Sequence, residues 1–272
     1  MQKKRLRLST RVANRLLPNT LKKRLKFARA RLFEAFGSQR YSRPAMYGME
    51  AKLEKYLGYD GGCFIECGAN DGYAQSNTYY LSRFRGWSGL LVEPVPRLYD
   101  LCRAFRPDSI VYNCALGAAD GGTVEIIYAD LMSTAVGARP SREQDLAHAA
   151  LASRFVRSEG NYTVHAPVRS LSSLLDEVGV HAVDLFVLDV EGFEMNVLAG
   201  VDFAREHIKY ILVETTNLDD VSAVLAPDYL MVEKLSHHDY LFERRAREPA
   251  SVGGAPGAGS VTPLTLAPFA SA

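Results

Sequence analysis

The stretch FIECGANDGY, residues 64–73, joins a short apolar run to a turn rich in glycine. The apolar residues predict a buried strand, and the turn from Gly68 to Gly72 predicts the loop that follows it. In open α/β sheets, a nucleotide-like ligand binds outside the carboxyl end of such a strand. The acid Glu66 within the apolar run indicates that this loop borders a ligand site.

Strand-like and helix-like stretches alternate through the middle of the chain. The predicted strands are CFIEC, GWSGLLVEP, SIVYNCALG, TVEIIYAD, VDLFVLDVEG and IKYILVET. The predicted helices between them are SNTYYLSRF, PRLYDLCRAF, LSSLLDEVG and EMNVLAG. This alternation predicts an α/β fold with a mostly parallel sheet and helices on both faces. The closing segment YLMVEKLSHHDYLFERR predicts a hairpin, so one strand should run antiparallel.

Composition divides the chain into three parts. Residues 1–43 hold fourteen Lys and Arg and one acid, Glu34, and their leucines recur at helical spacing, which predicts a basic amphipathic arm. Residues 44–247 form the predicted α/β domain. Residues 248–272 are rich in Ala, Gly, Pro and Ser, and we predict a disordered tail. The arm suits an anionic membrane surface or another partner, and a solvated tail is the alternative.

The remaining bulk features restrict the class of protein. The four cysteines have no second spaced pair and no nearby histidine, so we predict buried free thiols and no metal site among them. The charged start leads into no apolar signal segment, and no run approaches the ~20 apolar residues of a membrane span. We therefore expect a cytoplasmic protein, peripheral at the inner membrane surface if the arm binds lipid. The acidic body makes nucleic acid a disfavoured partner.

Acidic residues stand at the ends of four predicted strands. They are Glu66, Glu93, Asp189 with Glu191, and Glu214. Because the carboxyl ends of parallel strands meet at one edge of the sheet, these side chains should share a single site. Any one of these acids could simply be a solvated loop residue, but that interpretation explains the whole set poorly.

The loop after the first strand distinguishes between two nucleotide ligands. A dinucleotide site needs G-x-G-x-x-G, but Asn70 occupies the position of the second glycine, and the turn has no P-loop lysine. An NAD-dependent oxidoreductase is therefore disfavoured. S-adenosylmethionine, which carries a sulfonium, an ammonium and a ribose, suits an acidic edge. Glu93 can accept hydrogen bonds from both ribose hydroxyls.

The ordered segments FIECGANDGY, SNT, GLLVEP, NCALG, LSSLLDEVG, VDLFVLDVEGFEMNVLAG and ILVET resemble the FkbM family of S-adenosylmethionine-dependent methyltransferases. The resemblance spans about residues 60–215, with a weaker continuation to Arg245. It implies a Rossmann-like class I methyltransferase fold, with a seven-stranded, mostly parallel sheet and one antiparallel strand. It also implies O-methylation of a hydroxyl on a sugar, glycan or natural product.

The residues and the resemblance together predict a cofactor site. Gly68 and Gly72 permit the tight turn, and Glu66 is placed to receive the ammonium of the cofactor. The N–H groups and hydroxyls of residues 76–78 suit its carboxylate, with helix capping as the alternative. The resemblance places the adenine near Asn113 and Ala115. The full predicted set is Glu66, Gly68, Ala69, Asn70, Gly72, Asn77, Thr78, Glu93, Pro94, Asn113, Ala115 and Asp189.

Transfer to a hydroxyl needs a proton acceptor or a metal. Asp189 and Glu191 are the leading candidates for the base, followed by His237 and His238 in the predicted closing turn. A divalent cation held by the two carboxylates is the alternative, and we favour the metal-free form because no third ligand stands at an obvious spacing. A non-catalytic, membrane-associated binding protein that keeps the fold is the competing function. The complete acidic edge argues against it.

Overall fold

The computed structural model describes residues 17–152 and 162–246. Helices α1 to α8 span Asn19–Ala35, Met49–Leu57, Tyr79–Phe84, Pro96–Phe105, Arg142–Leu151, Leu171–Val178, Glu194–Leu198 and Leu218–Leu225. Strands β1 to β11 span Cys63–Cys67, Ser88–Val92, Ile110–Tyr112, Ala115–Leu116, Thr123–Ile127, Thr134–Ala135, Thr163–Arg169, Ala182–Leu188, His207–Glu214, Tyr229–Lys234 and Asp239–Arg244. The predicted tail, residues 248–272, lies outside the described residues.

Seven strands form the main sheet in the order β10-β11-β9-β8-β1-β2-β3. Neighbouring strands run parallel except at β11, which lies between β9 and β10 and is antiparallel to both. The predicted seven-stranded, mostly parallel sheet with one antiparallel strand is thereby confirmed. β1 pairs with β2 on one side and β8 on the other. The carboxyl ends of these three strands therefore meet at one edge.

The sheet is buried on both faces. Cys63, Ile65 and Cys67 alternate along β1 and pack into the same apolar cluster as the α6 leucines. Phe64 points to the opposite face and packs with the apolar residues of α2. Such double burial is typical of a parallel sheet covered by helices. The four cysteines are free and buried, as predicted for the thiols themselves.

A second, four-stranded sheet, β4-β7-β5-β6, corrects two predictions. The stretch predicted as one strand, SIVYNCALG, divides: β3 ends at Tyr112 in the main sheet, and β4 begins at Ala115 in the second. No helix or strand was predicted between TVEIIYAD and LSSLLDEVG, but this stretch contains β6, α5 and β7. Periodicity missed β6 because it is only two residues long, and β7 because most of its residues are partly or fully exposed.

Helix α1, which belongs to the predicted arm, packs on the domain. Lys23 is buried, and its Nζ lies 2.7 Å from Asn70 Oδ1, 3.0 Å from Asp71 Oδ2 and 2.9 Å from Asp130 Oδ1. Burial disfavours the ammonium ion, but Asp71 and Asp130 outweigh this and raise the pKa of Lys23. α1 is thus fixed beside the loop after β1. None of the helices in the described ranges combines the length and apolarity needed to span a bilayer.

We expect Lys23→Met to lower the free energy of unfolding by about 3–5 kcal/mol, because it leaves two buried carboxylates without their cation. Lys26→Met on the exposed side of the same helix is the matched control and should change it by less than about 0.5 kcal/mol. Urea titration of both variants measures the difference. Equal stabilities would show that the buried ion pairs do not hold α1.

Gly68 gives a second prediction. Its φ is +83°, and a Cβ at this position would lie 1.8 Å from the carbonyl oxygen of Asp189. Gly68→Ala should cost about 3 kcal/mol or more, because backbone must move to admit the methyl group. Gly86 has a φ of +63° and open space around its Cβ position, so Gly86→Ala should cost only about 1 kcal/mol. Comparable losses in urea titrations would reject the close approach of β1 and β8.

Candidate active site

The loop after β1 is fixed by backbone hydrogen bonds. The N–H groups of Gly68 and Ala69 each donate to the carbonyl of Val92 at 3.1 Å. Asn70 takes a φ of +50°, and its N–H donates to Glu93 Oε2 at 2.8 Å. The loop is therefore held to the end of β2, where the predicted ribose-binding acid stands.

Glu93 is buried, and each of its two carboxylate oxygens accepts a hydrogen bond from a backbone N–H group. Its Oε1 accepts the N–H of Val95 at 2.8 Å, beside the bond from Asn70 to Oε2. Burial raises the pKa of Glu93 to about 8, although the two N–H donors act in the opposite direction. Each carboxylate oxygen has two lone pairs, so one acceptor position on each remains for a ligand hydroxyl.

Glu66 has different partners from those expected. It accepts hydrogen bonds from Ser76 Oγ at 2.8 Å, the N–H of Asn77 at 2.9 Å and Thr78 Oγ1 at 2.6 Å. The guanidinium of Arg106 lies 3.8 Å from its Oε2. The donors that were predicted to bind the cofactor carboxylate are thus engaged with Glu66. Binding of the cofactor by either group stays a prediction.

Asn113 holds the chain after β2. Its Nδ2 donates to the carbonyl of Glu93 at 2.9 Å and to that of Pro94 at 3.2 Å. Asn113 therefore positions Glu93 through the backbone, and any contact with adenine stays a prediction.

A cavity of about 550 Å³ opens at the carboxyl edge of the main sheet. Its lining includes these predicted site residues: Glu66, Gly68, Ala69, Asn70, Asn77, Glu93, Pro94, Ala115, Asp189, Glu191 and His238. Four other predicted residues do not appear in that lining: Gly72, Thr78, Asn113 and His237. Gly72 instead faces Arg106 and Cys102, where a Cβ would meet side-chain atoms below 3 Å. The cavity has the concave form and mixed lining of a small-molecule site.

Three carboxylates converge in this cavity, at the carboxyl ends of β8 and β9. One oxygen from each of Asp189, Glu191 and Glu214 lies within 4.8 Å of the others. Burial and the charges of Glu214 and Glu191 raise the pKa of Asp189 well above its usual value. Burial and the nearby Asp239 and Glu191 raise the pKa of Glu214 to about 8. We call Asp189, Glu191 and Glu214 the carboxylate trio.

Glu191 reaches the cavity because the backbone turns after β8. Its φ is +54°, and Gly192 follows with a φ of +101°. Thr134 Oγ1 donates to the Glu191 carbonyl at 2.9 Å, and Arg139 Nη1 donates to the same hydroxyl at 3.1 Å. This conformation is uncommon for a residue with a side chain, and it brings Glu191 into the same cavity as Asp189.

Two histidines flank the carboxylate trio. His238 Nε2 lies 3.2 Å from Glu214 Oε1, and His148 Nε2 lies 2.8 Å from Glu191 Oε2. His237 packs against His238 and Tyr47 instead, with ring centroids 3.7 and 5.3 Å away. The sequence analysis missed His148. The sequence does contain a signal for the helix that carries His148. Ser141 and Gln144 form a capping pattern at the start of α5, where the Ser141 side chain accepts the N–H of Gln144.

The described residues also provide donor sets for a metal ion. The carboxylate trio is one set, and Glu214, His238 and Asp239 form a second set in the same place. A third set, Asp176, His181 and Glu206, lies away from the cavity lining. Carboxylate and imidazole ligands of this kind suit a divalent cation. The expectation of a metal-free site therefore stays a prediction.

Comparisons with known proteins agree with the resemblance in the sequence. Three similar solved structures are a TehB-like S-adenosylmethionine-dependent methyltransferase of Corynebacterium glutamicum, an FkbM methyltransferase of Methylobacillus flagellatus KT, and TrmK of M. capricolum bound to S-adenosyl-homocysteine. Their identities are 13%, 14% and 9%, and their TM-scores are 0.39, 0.39 and 0.32. The alignments cover 84%, 75% and 71% of this chain and 100%, 57% and 66% of those chains. Scores of this size carry no conclusion about activity.

A search of curated proteins found no match. The model of the methyltransferase FkbM domain, in contrast, matches residues 66–242, which run from Glu66 in β1 to Phe242 in β11. Because this match covers more than half of the chain, the protein belongs to the FkbM methyltransferase family.

Proposed function

We propose that the protein transfers a methyl group from S-adenosylmethionine to a hydroxyl of a small-molecule or glycan acceptor, such as a sugar or a natural product. The observation that carries the choice of a hydroxyl is the carboxylate trio, in which the pKa values of Asp189 and Glu214 are raised. A hydroxyl is a weak nucleophile, and a neighbouring base with a pKa near neutrality assists its attack.

The residues around the Asn70 loop suit S-adenosylmethionine better than a dinucleotide. Asn70 is buried and bonded to Lys23 and Asp130, so its side chain stays where a pyrophosphate would have to approach the backbone. The acids Glu66 and Glu93 both line the cavity and offer no positive charge to a pyrophosphate. When bound, S-adenosylmethionine supplies a methyl group on a positively charged sulfur atom that leaves as a neutral thioether.

The chain's own groups receive the proton of the acceptor. A bond forms between the acceptor oxygen and the methyl carbon while the carbon–sulfur bond breaks, and the hydroxyl proton passes to a carboxylate. We assign that carboxylate to Asp189, because it directly follows β8, next to Gly68, and lies close to the other two acids of the trio. Glu214 and Glu191 keep its pKa raised, and the two flanking histidines hold their carboxylates in place.

The proposal is tested with S-adenosylmethionine that carries an isotopically labelled methyl group and a panel of sugars and glycans. We expect the label in a methyl ether, and we expect Asp189→Asn to lower turnover about 10²-fold or more. Cofactor affinity, measured by calorimetry, should change much less. Asp239→Asn is the control, because it removes the negative charge of a buried carboxylate beside the trio and leaves the proposed base in place.

Three results would contradict the assignment. A labelled methyl group on a nitrogen atom would show N-methylation in place of O-methylation. Near-full turnover by Asp189→Asn would show that Asp189 has a structural role. Loss of turnover in EDTA, restored by Mg²⁺ or Mn²⁺, would assign the trio to a cation. Binding without turnover on any acceptor would favour the non-catalytic binding protein.

The raised pKa of Glu214 predicts a pH dependence of stability that needs no acceptor. Because its pKa rises from 4.5 to about 8 on folding, the folded state binds more protons than the unfolded state between these values. The free energy of unfolding should therefore fall as pH rises through this range, and Glu214→Gln should reduce the slope. Glu233→Gln is the control, because Tyr56 and Lys55 lower the pKa of Glu233. An unchanged slope in Glu214→Gln would place the Glu214 pKa near its ordinary value.

A further inference from the structure

Helix α1 has two apolar sides, and only one of them faces the domain. On the inner side Phe27 stacks on Phe105 with ring centroids 4.1 Å apart, and Ala30 is fully buried. Lys23 lies on this side with its carboxylate partners. The inner side thus holds α1 against the domain without using the remaining apolar residues of the helix.

The outer side carries what we call the exposed stripe. It consists of Leu21, Leu25, Leu32 and Phe36, whose exposed fractions are 41, 52, 57 and 82%. These positions recur at i, i+4, i+11 and i+15, so they lie on one face of a helix of 3.6 residues per turn. Phe36 is the residue directly after α1. Four large apolar side chains exposed on one side of a helix mark an interaction surface.

Basic residues border the exposed stripe. Arg24 and Arg31 lie on one side of it and Lys26 on the other, and all three are exposed. An apolar face with Lys and Arg at its borders is the pattern of a helix that lies in the plane of a membrane interface. A protein partner could contact the same apolar residues, but such a partner would not explain the cations along both borders of the stripe.

Charge also determines which side of the molecule would face an anionic surface. Residues 1–43 hold fourteen Lys and Arg and one acid, whereas the rest of the chain holds eighteen Lys and Arg and thirty acids. An anionic bilayer attracts the first part and repels the second. The exposed stripe belongs to the attracted part, so apolar contact and charge act on the same face.

From this geometry we propose that α1 docks the protein on an anionic lipid bilayer through the exposed stripe. The helix lies in the interface, with the exposed stripe in the acyl boundary and Arg24, Lys26 and Arg31 at the headgroups. Because Lys23 ties the opposite side of α1 to the Asn70 loop, the docked protein keeps the methyltransferase cavity at the membrane surface. This docking is independent of the acceptor proposed above.

The test is cosedimentation of the full chain with vesicles of phosphatidylcholine alone or mixed with phosphatidylglycerol. We expect binding to the mixed vesicles only, weaker at high salt, and roughly tenfold weaker in Leu25→Ser/Leu32→Ser. Val224→Ser/Leu230→Ser is the matched control, since these side chains are 39 and 50% exposed elsewhere and should leave binding unchanged. Thermal unfolding confirms that each variant is folded.

If the serine variant does not fold, Arg24→Gln/Lys26→Gln replaces it, and we again expect roughly tenfold weaker binding. No binding of the full chain to the mixed vesicles would overturn the proposal, as would equal binding by the wild-type protein and the folded stripe variant. A dimer that becomes a monomer in the stripe variant would show that a second copy covers the stripe. Vesicle binding is measured without cofactor or acceptor, so it can fail while methyl transfer succeeds.

Discussion

The concentration of carboxylates at one edge of the main sheet is the constraint on which the site depends. Parallel strands bring their carboxyl ends together, and in this chain those ends carry acids. A buried carboxylate is costly unless a cation, hydrogen bonds or a proton compensates its charge. The structure uses each of these means at a different acid, and this difference distinguishes the acids around the Asn70 loop from the carboxylate trio.

Around the Asn70 loop the charges are compensated by the protein itself. Arg106 and three donors from residues 76–78 surround Glu66, and Lys23 lies between Asp71 and Asp130. Backbone N–H groups engage both oxygens of Glu93. These groups are consequently rigid, which suits the recognition of a ligand of fixed shape. α1 takes part in this compensation, so the basic N-terminal part of the chain contributes to the site as well as to the surface.

The carboxylate trio, in contrast, has no arginine or lysine among the partners that the described residues provide. Raised pKa values at Asp189 and Glu214 are the consequence, since three neighbouring carboxylates cannot all be ionised at low cost. The uneven compensation of charge thus distinguishes the carboxylate trio from the acids around the Asn70 loop.

Much of this arrangement could be predicted from the sequence, because it follows from local patterns. Apolar runs of strand length that end in acids predicted the main sheet and the acids at its edge, and Asn70 in place of a glycine disfavoured a dinucleotide. The contact of Lys23 with Asp71 could not be predicted, since the two residues are far apart in sequence and no spacing rule connects them. A capping pattern predicts the helix that carries His148, but no spacing rule connects His148 with Glu191. The engagement of Ser76 and Thr78 with Glu66 shows that donors near a strand end can serve the protein as well as a ligand.

The central claim, that the acidic cavity is built for S-adenosylmethionine, is tested most directly by calorimetric titration of the full-length protein. The account predicts saturable binding of one S-adenosylmethionine per chain and no heat of binding for NAD under the same conditions. Saturable binding of NAD, or no binding of S-adenosylmethionine by the folded protein, would contradict it.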